Sequence, residues 1–278
     1  MKENYNIKMI ALDLDGTTLN SSGELTERTE ATLSKAAGQG VYVAISTGRS
    51  FNSLPESIKN VKGISYAITS NGAHINELAS GQSIYDSFLS EAAVYAVDEF
   101  SQKHNVGIEV FVEGQAYIDE ETYNDIRDNG SPYRNAEYVL WSRKPIRDIH
   151  GLLLENKDRI ENVNLCFNST EELEACRPQV EGFPDATITS SIKNNLEVGG
   201  ADTSKKTALI ELMGRLSVSP DELMCCGDAP NDIQMLEYAG LGVAVANAWG
   251  GTGDHADYIT GTNDEDGVAQ AIERFVLK

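Results

Sequence analysis

Three short apolar runs in this chain each stop at a loop of carboxylates, hydroxyls and glycine, and this constrains its fold more than any other feature. Met9-Ile10-Ala11-Leu12 stops at Asp13-Leu14-Asp15-Gly16-Thr17-Thr18. Val41-Tyr42-Val43-Ala44-Ile45 stops at Ser46-Thr47-Gly48-Arg49, and Leu223-Met224-Cys225-Cys226 stops at Gly227-Asp228-Ala229-Pro230-Asn231-Asp232. Each run reads as a buried strand. Between the last two, Ser204-Lys205-Lys206 opens a helix in which Ala208, Leu209, Leu212, Met213 and Leu216 recur at helical spacing. Ligands of open parallel α/β sheets gather outside the carboxyl ends of strands, so the three loops are expected to converge.

Each motif alone has an ordinary reading. Asp15-Gly16 is a common turn, and Ser46-Thr47-Gly48 is another. Asp228 and Asp232 would suit the start of a helix, where acids meet the positive end of the dipole and Pro230 is tolerated. The chemical reading comes from their co-occurrence in one order: an Asp pair, a Thr, a Lys and a second Asp pair. Asp13 and Asp15 would share a strand face, with the Gly16 turn carrying one of them onward. Two acids, one glycine and two hydroxyls make a seat for a hard cation and a phosphoryl group.

Bulk properties bound the function. The formal charge of −21 argues against a nucleic-acid partner, which needs clustered Lys and Arg. It does not exclude a phosphorylated small molecule, because a bound cation, Lys205 and Arg49 would set the local field. No apolar stretch is long enough to span a bilayer, and the N-terminus lacks a signal-peptide layout. Four cysteines without metal-type spacing fit a reducing cytoplasm. The four histidines are scattered, with none in a catalytic arrangement.

The pattern along the 278 residues suggests an insertion. Strand-helix alternation over 1–85 includes a helix over 51–58 and a hairpin turning at Gly81. It gives way to paired strands interspersed with helices over 86–192, with strands expected at 106–112, 115–118, 138–141, 162–167 and 186–192. Alternation returns over 193–278. The expected fold is an α/β, Rossmann-like parallel-sheet core with an inserted α+β domain.

On these motifs, together with Thr69-Ser70-Asn71-Gly72-Ala73, Asn247-Ala248 and the Ala256–Val268 stretch, the chain resembles the haloacid dehalogenase-like phosphohydrolases, specifically the Cof-type subfamily with its large α/β cap. The resemblance implies a phosphatase that works through an aspartyl-phosphate. Asp13 would be the nucleophile and Asp15 the proton donor and acceptor. Thr47, Gly48, Lys205 and Asn231 would hold the phosphate. Mg2+ would sit on the carboxylates of Asp13 and Asp228 and on the backbone carbonyl of Asp15, with Asp232 orienting a ligand or bound water. Arg49 and Asn71 are candidates to line the site. Lys205 is chosen over Lys206 by register with Thr207-Ala208-Leu209.

The segment 249–255 departs from the family, which usually has a short charged helix there, because three glycines disfavour a regular helix. The expected substrate is a small phosphorylated metabolite, a sugar phosphate or similar. Two alternatives are a sugar phosphomutase, which shares the aspartyl-phosphate, and a regulator that binds a phosphorylated ligand without turnover. The retained nucleophile and motif lysine weigh against the regulator.

Overall fold

A computed structural model describes residues 5–131 and 135–277, and the chain divides into two compact units. The first comprises residues up to Gly48, then Leu54–Asp86 and Ser204 onward. Its elements begin with β1 (Met9–Leu12), α1 (Glu27–Gly38), β2 (Tyr42–Ser46), α2 (Glu56–Lys59) and β3 (Ile64–Thr69). A hairpin, β4 (His74–Glu77) and β5 (Gln82–Asp86), closes this stretch.

The second unit comprises Arg49–Ser53 and Ser87–Thr203. It contains α3 (Glu91–His104), the hairpin β6 (Gly107–Val112) and β7 (Gln115–Asp119), α4 (Glu120–Asn129), α5 (Ala136–Ser142) and β8 (Arg143–Ile146). It continues through α6 (Ile149–Glu155), β9 (Ile160–Cys166), α7 (Thr170–Val180), β10 (Ala186–Thr189) and β11 (Asn195–Gly200). The chain then returns to the first unit with α8 (Lys205–Leu216), β12 (Leu223–Gly227), α9 (Ile233–Tyr238), β13 (Leu241–Ala244), β14 (Tyr258–Ile259) and α10 (Gly267–Phe275).

The first unit is built on an eight-stranded sheet of order β14-β13-β12-β1-β2-β3-β4-β5. All pairings from β14 to β3 are parallel, and β4 and β5 add an antiparallel edge. From β1 the chain builds outward to β2 and β3, then later builds the other way through β12 and β13. The reversal leaves the carboxyl ends of β1 and β12 side by side, the place where such sheets bind ligands. One face packs Met9, Ala11, Ala44 and Cys225 against Leu209, Leu212 and Met213 of α8. The alternate residues Ile10, Leu12, Val43 and Ile45 are also fully buried, as a two-sided sheet requires.

The second unit has a six-stranded sheet of order β10-β11-β9-β6-β7-β8, mostly antiparallel. One face carries its core, in which Ile108, Val110, Val163, Leu165, Leu196 and Val198 pack against α3, α6 and α7. The sequence expectation returned the chain to the first unit at 193, but β11 pairs with β9 and β10, so the return comes after Thr203.

Two other expectations are corrected. Residues 138–141 are helical, not a strand: the Asn135 side chain caps α5 by accepting from the Tyr138 amide, and Val139 alone of the four is buried, against Ile118 and Ile126. The helix expected over 51–58 is divided by Pro55 into a single turn at Phe51–Ser53 and the short α2. Residues 132–134, part of an aromatic stretch beginning at Tyr133, lie outside the described residues. Among the described residues, no helix is long and apolar enough to cross a membrane.

Candidate active site

The site lies wholly in the first unit, at the reversal of its sheet. β1 ends at Asp13, whose amide donates to the Cys226 carbonyl and so ties the first loop to the end of β12. The loop over 14–18 turns at Gly16, where φ is +78°. A Cβ there would lie 2.8 Å from Asp228 Oδ2, so glycine meets both the backbone and the space requirement. Thr17 Oγ1 donates to Asp228 Oδ1 at 2.7 Å, and Thr18 Oγ1 donates to the Asp13 carbonyl. The two hydroxyls after Gly16 therefore have separate tasks: one orients Asp228 and the other fixes the backbone of Asp13.

Lys205 is the first residue of α8, which Ser204 caps by accepting from the Thr207 amide. Its Nζ donates at 2.6 Å to Asp13 Oδ1 and at 2.6 Å to Asp232 Oδ1. Gly72, at φ +106°, lets the turn after β3 press against the start of this helix, since a Cβ there would lie 2.2 Å from the Ser204 carbonyl oxygen. Asp232 is anchored through its other oxygen, which accepts from the amides of Asp228 and Ala229. Gly227 makes room for it, because a Cβ at 227 would meet Asp232 Cβ at 2.5 Å.

Asp13, Lys205, Asp228 and Asp232 are 6, 1, 6 and 0 % exposed. Three buried carboxylates thus face one ammonium. Burial pushes Asp13 well above the usual carboxylate range; Lys205 opposes the shift, while Asp232 and Asp228 add to it. Burial, reinforced by Asp232, pushes Asp228 up to about 6. Burial also works against the Lys205 charge, but Asp13 and Asp232 outweigh it and hold its pKa above that of an ordinary lysine. Carboxylate oxygens of Asp13, Asp228 and Asp232 all lie within 4.8 Å of one another. A compact set of hard oxygens with surplus negative charge suits a divalent cation such as Mg2+.

The remaining expected residues are placed as follows. Thr47 is buried at the end of β2; its amide donates to the Ile68 carbonyl and its own carbonyl accepts from the Asn71 amide. Gly48 packs on the Asn71 side chain, where a Cβ would lie 3.2 Å from Oδ1. Asn71 is held at φ +55°, and its Oδ1 accepts from Asn231 Nδ2 at 3.0 Å. This bond of Asn231, a candidate phosphate ligand, ties the loop after β12 to the loop after β3. Asp15 is exposed, unlike its neighbour Asp13. Arg49 belongs by its contacts to the second unit, with its guanidinium 4.4 Å from the Tyr138 ring centre and donating to the Ser53 carbonyl.

Sequence reasoning noted Asn247 without a role; its Nδ2 donates to the Gly16 carbonyl at 2.7 Å and braces the first loop. The glycine-rich segment forms no α-helix. Gly250 and Gly251 have φ of +62° and +83°, one short turn follows at Thr252–His255, and the Trp249 amide donates to the Asp228 carbonyl.

A parallel sheet reversing between two acid-bearing strand ends, with a lysine carried in on a third element, defines a phosphoryl-transfer class of α/β enzyme. Comparison with known proteins gives the family. The sequence profile of the haloacid dehalogenase-like hydrolases matches residues 10–272, and the chain belongs to that family, within its Cof type, as a phosphoric monoester hydrolase. It is 31% identical over 276 residues to the 5-amino-6-(5-phospho-D-ribitylamino)uracil phosphatase YcsE of Bacillus subtilis, covering 99% of this chain and 98% of that protein. Phosphatase YwpJ of the same organism is 30% identical, with 97% and 100% covered. A solved haloacid dehalogenase-like hydrolase from Bacillus subtilis superimposes with a TM-score of 0.83 at 29% identity, covering 96% of this chain and 99% of that one.

Proposed function

We propose that this hydrolase is a magnesium-dependent phosphatase that removes phosphate from a small sugar- or polyol-like metabolite through an aspartyl-phosphate on Asp13. The observation that carries the reading is Lys205 Nζ at 2.6 Å from both Asp13 and Asp232, with Asp228 in the same buried cluster. Residues far apart in sequence meet there in the combination that phosphoryl transfer needs.

In the first half-reaction an Asp13 oxygen attacks phosphorus and the ester P–O bond breaks. Asp15 passes its proton to the departing oxygen, giving the free alcohol. Its exposed position, outside the carboxylate cluster, supports a proton-transfer role. In the second half-reaction Asp15 takes a proton from water, the water oxygen attacks phosphorus, and the Asp13–phosphorus bond breaks to release inorganic phosphate. The Lys205 ammonium neutralises charge that moves between Asp13 and the phosphoryl oxygens. Thr47 and the amide of Gly48 hold the phosphate, and Asp232 keeps the ammonium in place.

Asp13, Asp228 and the Asp15 carbonyl would hold Mg2+, since both oxygens of Asp232 are already committed to Lys205 and to backbone amides. When bound, the ion keeps the carboxyl groups ionised and screens them from the phosphate charge. The second unit would act as a cap that selects the organic group. The name of the relative YcsE describes a phosphoribityl compound, which supports the polyol end of the substrate range. All four cysteines remain thiols, which supports a reducing compartment such as the cytoplasm.

A phosphate-release assay over sugar, polyol and nucleoside phosphates tests the proposal. Turnover should require added magnesium and vanish with chelator. Full activity in excess chelator would remove the metal site, and no release from any ester would remove the phosphatase reading.

A further inference from the structure

The first loop carries two carboxylates that are held in different ways. Asp13 is fixed through its backbone, by its amide on the Cys226 carbonyl and by Thr18 Oγ1 on its own carbonyl, and its side chain is bound by Lys205. Asp15, two residues on, is exposed, so its aim leans on the backbone that carries it. That backbone turns at Gly16, with φ +78° and ψ −5°. Glycine enters this conformation at little cost and leaves it as easily, since it has no side chain to lock the turn. Two asparagines from the far end of the chain close on it. Asn247 Nδ2 donates to the Gly16 carbonyl at 2.7 Å, and Asn263 Nδ2 donates to the Leu19 carbonyl at 2.9 Å. The Asn263 amide donates in turn to Asn247 Oδ1 at 2.9 Å, which joins the two into one clamp on the turn and just past the end of the loop. Asn263 is buried, whereas Asn247 is exposed. A neutral hydrogen bond in contact with water adds little to fold stability, because water replaces it when it is lost. The bond at Gly16 serves chiefly to fix one orientation of the peptide that follows Asp15.

We propose that Asn247 is a positioning residue for Asp15, holding the Gly16 turn so that the Asp15 carboxyl meets the oxygen of the departing alcohol. The inference rests on the phosphatase reading above, in which Asp15 is the proton donor. In the step concerned an Asp13 oxygen bonds to phosphorus, the ester P–O bond breaks, and the alcohol oxygen takes its proton from Asp15. A donor misplaced by about 1 Å can cost about 10²-fold in rate. The cost grows with the basicity of the leaving oxygen, because a weakly basic oxygen departs without a proton. Loss of the Asn247 donor should therefore slow esters of basic alcohols much more than activated esters. A residue that served only the fold, the metal site or the phosphate would affect both alike.

The test compares phenyl phosphate with p-nitrophenyl phosphate on the full chain with magnesium, since the two are alike in size and differ in the basicity of the leaving oxygen. In Asn247→Ala the ratio of kcat/KM for phenyl phosphate to that for p-nitrophenyl phosphate should fall about tenfold or more. Circular dichroism and melting check that the variant folds. Asn247→Asp keeps the acceptor for the Asn263 amide and loses the donor to Gly16, so it should show the same fall, and it decides the matter if the alanine variant does not fold. In an Asp15→Asn background, where the ratio is already low, Asn247→Ala should lower it no further, because the two act through one group. A fall under about threefold in the folded variant, or an undiminished further fall in the Asp15→Asn background, overturns the proposal and leaves the phosphatase reading standing. A wild-type ratio in Asp15→Asn itself removes Asp15 as the proton donor, and no phosphate release by wild type from either ester removes the phosphatase reading; either result takes this inference with it.

Discussion

The buried polar clusters of the two units are organised in opposite ways. At the reversal of the eight-stranded sheet, three carboxylates and Lys205 are committed to one another and to backbone amides, and glycines at 16, 72 and 227 admit the elements that carry them. On the polar face of the six-stranded sheet, one ion pair and an amide hold Glu109, while the Oδ1 atoms of Asn162 and Asn164 are buried with no hydrogen-bond partner among the described residues. Groups that act on a common reacting atom must be held before the substrate arrives, which rewards mutual bonding. The difference teaches that mutual commitment, more than burial alone, marks a cluster held ready for chemistry.

The contrast can be broken most severely at its two cations. Lys205→Met should reduce turnover by about 10³-fold or more, because the ammonium faces Asp13, the proposed nucleophile; steady-state phosphate release checks this, and a loss under tenfold would make Lys205 merely structural. Arg143→Met should show mainly as instability. It removes the buried Glu109–Arg143 ion pair, a loss of about 3 kcal/mol measurable by denaturant melting. An Arg143 variant as stable as wild type would show that the face tolerates loss of the Glu109–Arg143 ion pair.

A smaller effect sharpens the electrostatic half of the comparison. Asp228 has a folded pKa of about 6 against an ordinary 3.8, so the folded protein binds more protons than the unfolded chain between these values. Its contribution to stability is therefore full below pH 3.8 and is lost as pH rises through about 6. In chelator, Asp228→Asn should raise the melting temperature by several degrees at pH 7.5, corresponding to a penalty on the order of 3 kcal/mol. The gain should shrink toward zero near pH 4, and a gain equal at both pH values would contradict the burial argument.

The candidate catalytic cluster was the more legible in the sequence because its residues sit where apolar runs stop. A strand end beside a glycine turn announces itself whatever lies around it, and Asp13, Thr47 and Asp228 could be placed on that basis. Lys205 was legible through the helix it opens. The commitments were not: that Thr17 serves Asp228, or that Asn231 bonds Asn71, depends on approach between segments distant in the chain. The second unit was harder to read for three local reasons. Residues 138–141 have the aromatic and β-branched composition of a strand, and a single capping Asn135 makes them helical. Pro145 hides the edge strand β8, where a lost donor is tolerated. Gly199-Gly200 at the end of β11 resembles a loop, so the return to the first unit was expected too early.

The covalent intermediate on Asp13 is tested most directly by rapid quench with an activated phosphate ester. Wild type and Asp15→Asn should both form phosphoenzyme, with Asp15→Asn accumulating more because no base activates water for its hydrolysis, and Asp13→Asn should form none. Phosphoenzyme in Asp13→Asn but not in Asp15→Asn would mean the two carboxylates exchange roles. Turnover without phosphoenzyme in any of the three proteins would place water, and not Asp13, at phosphorus.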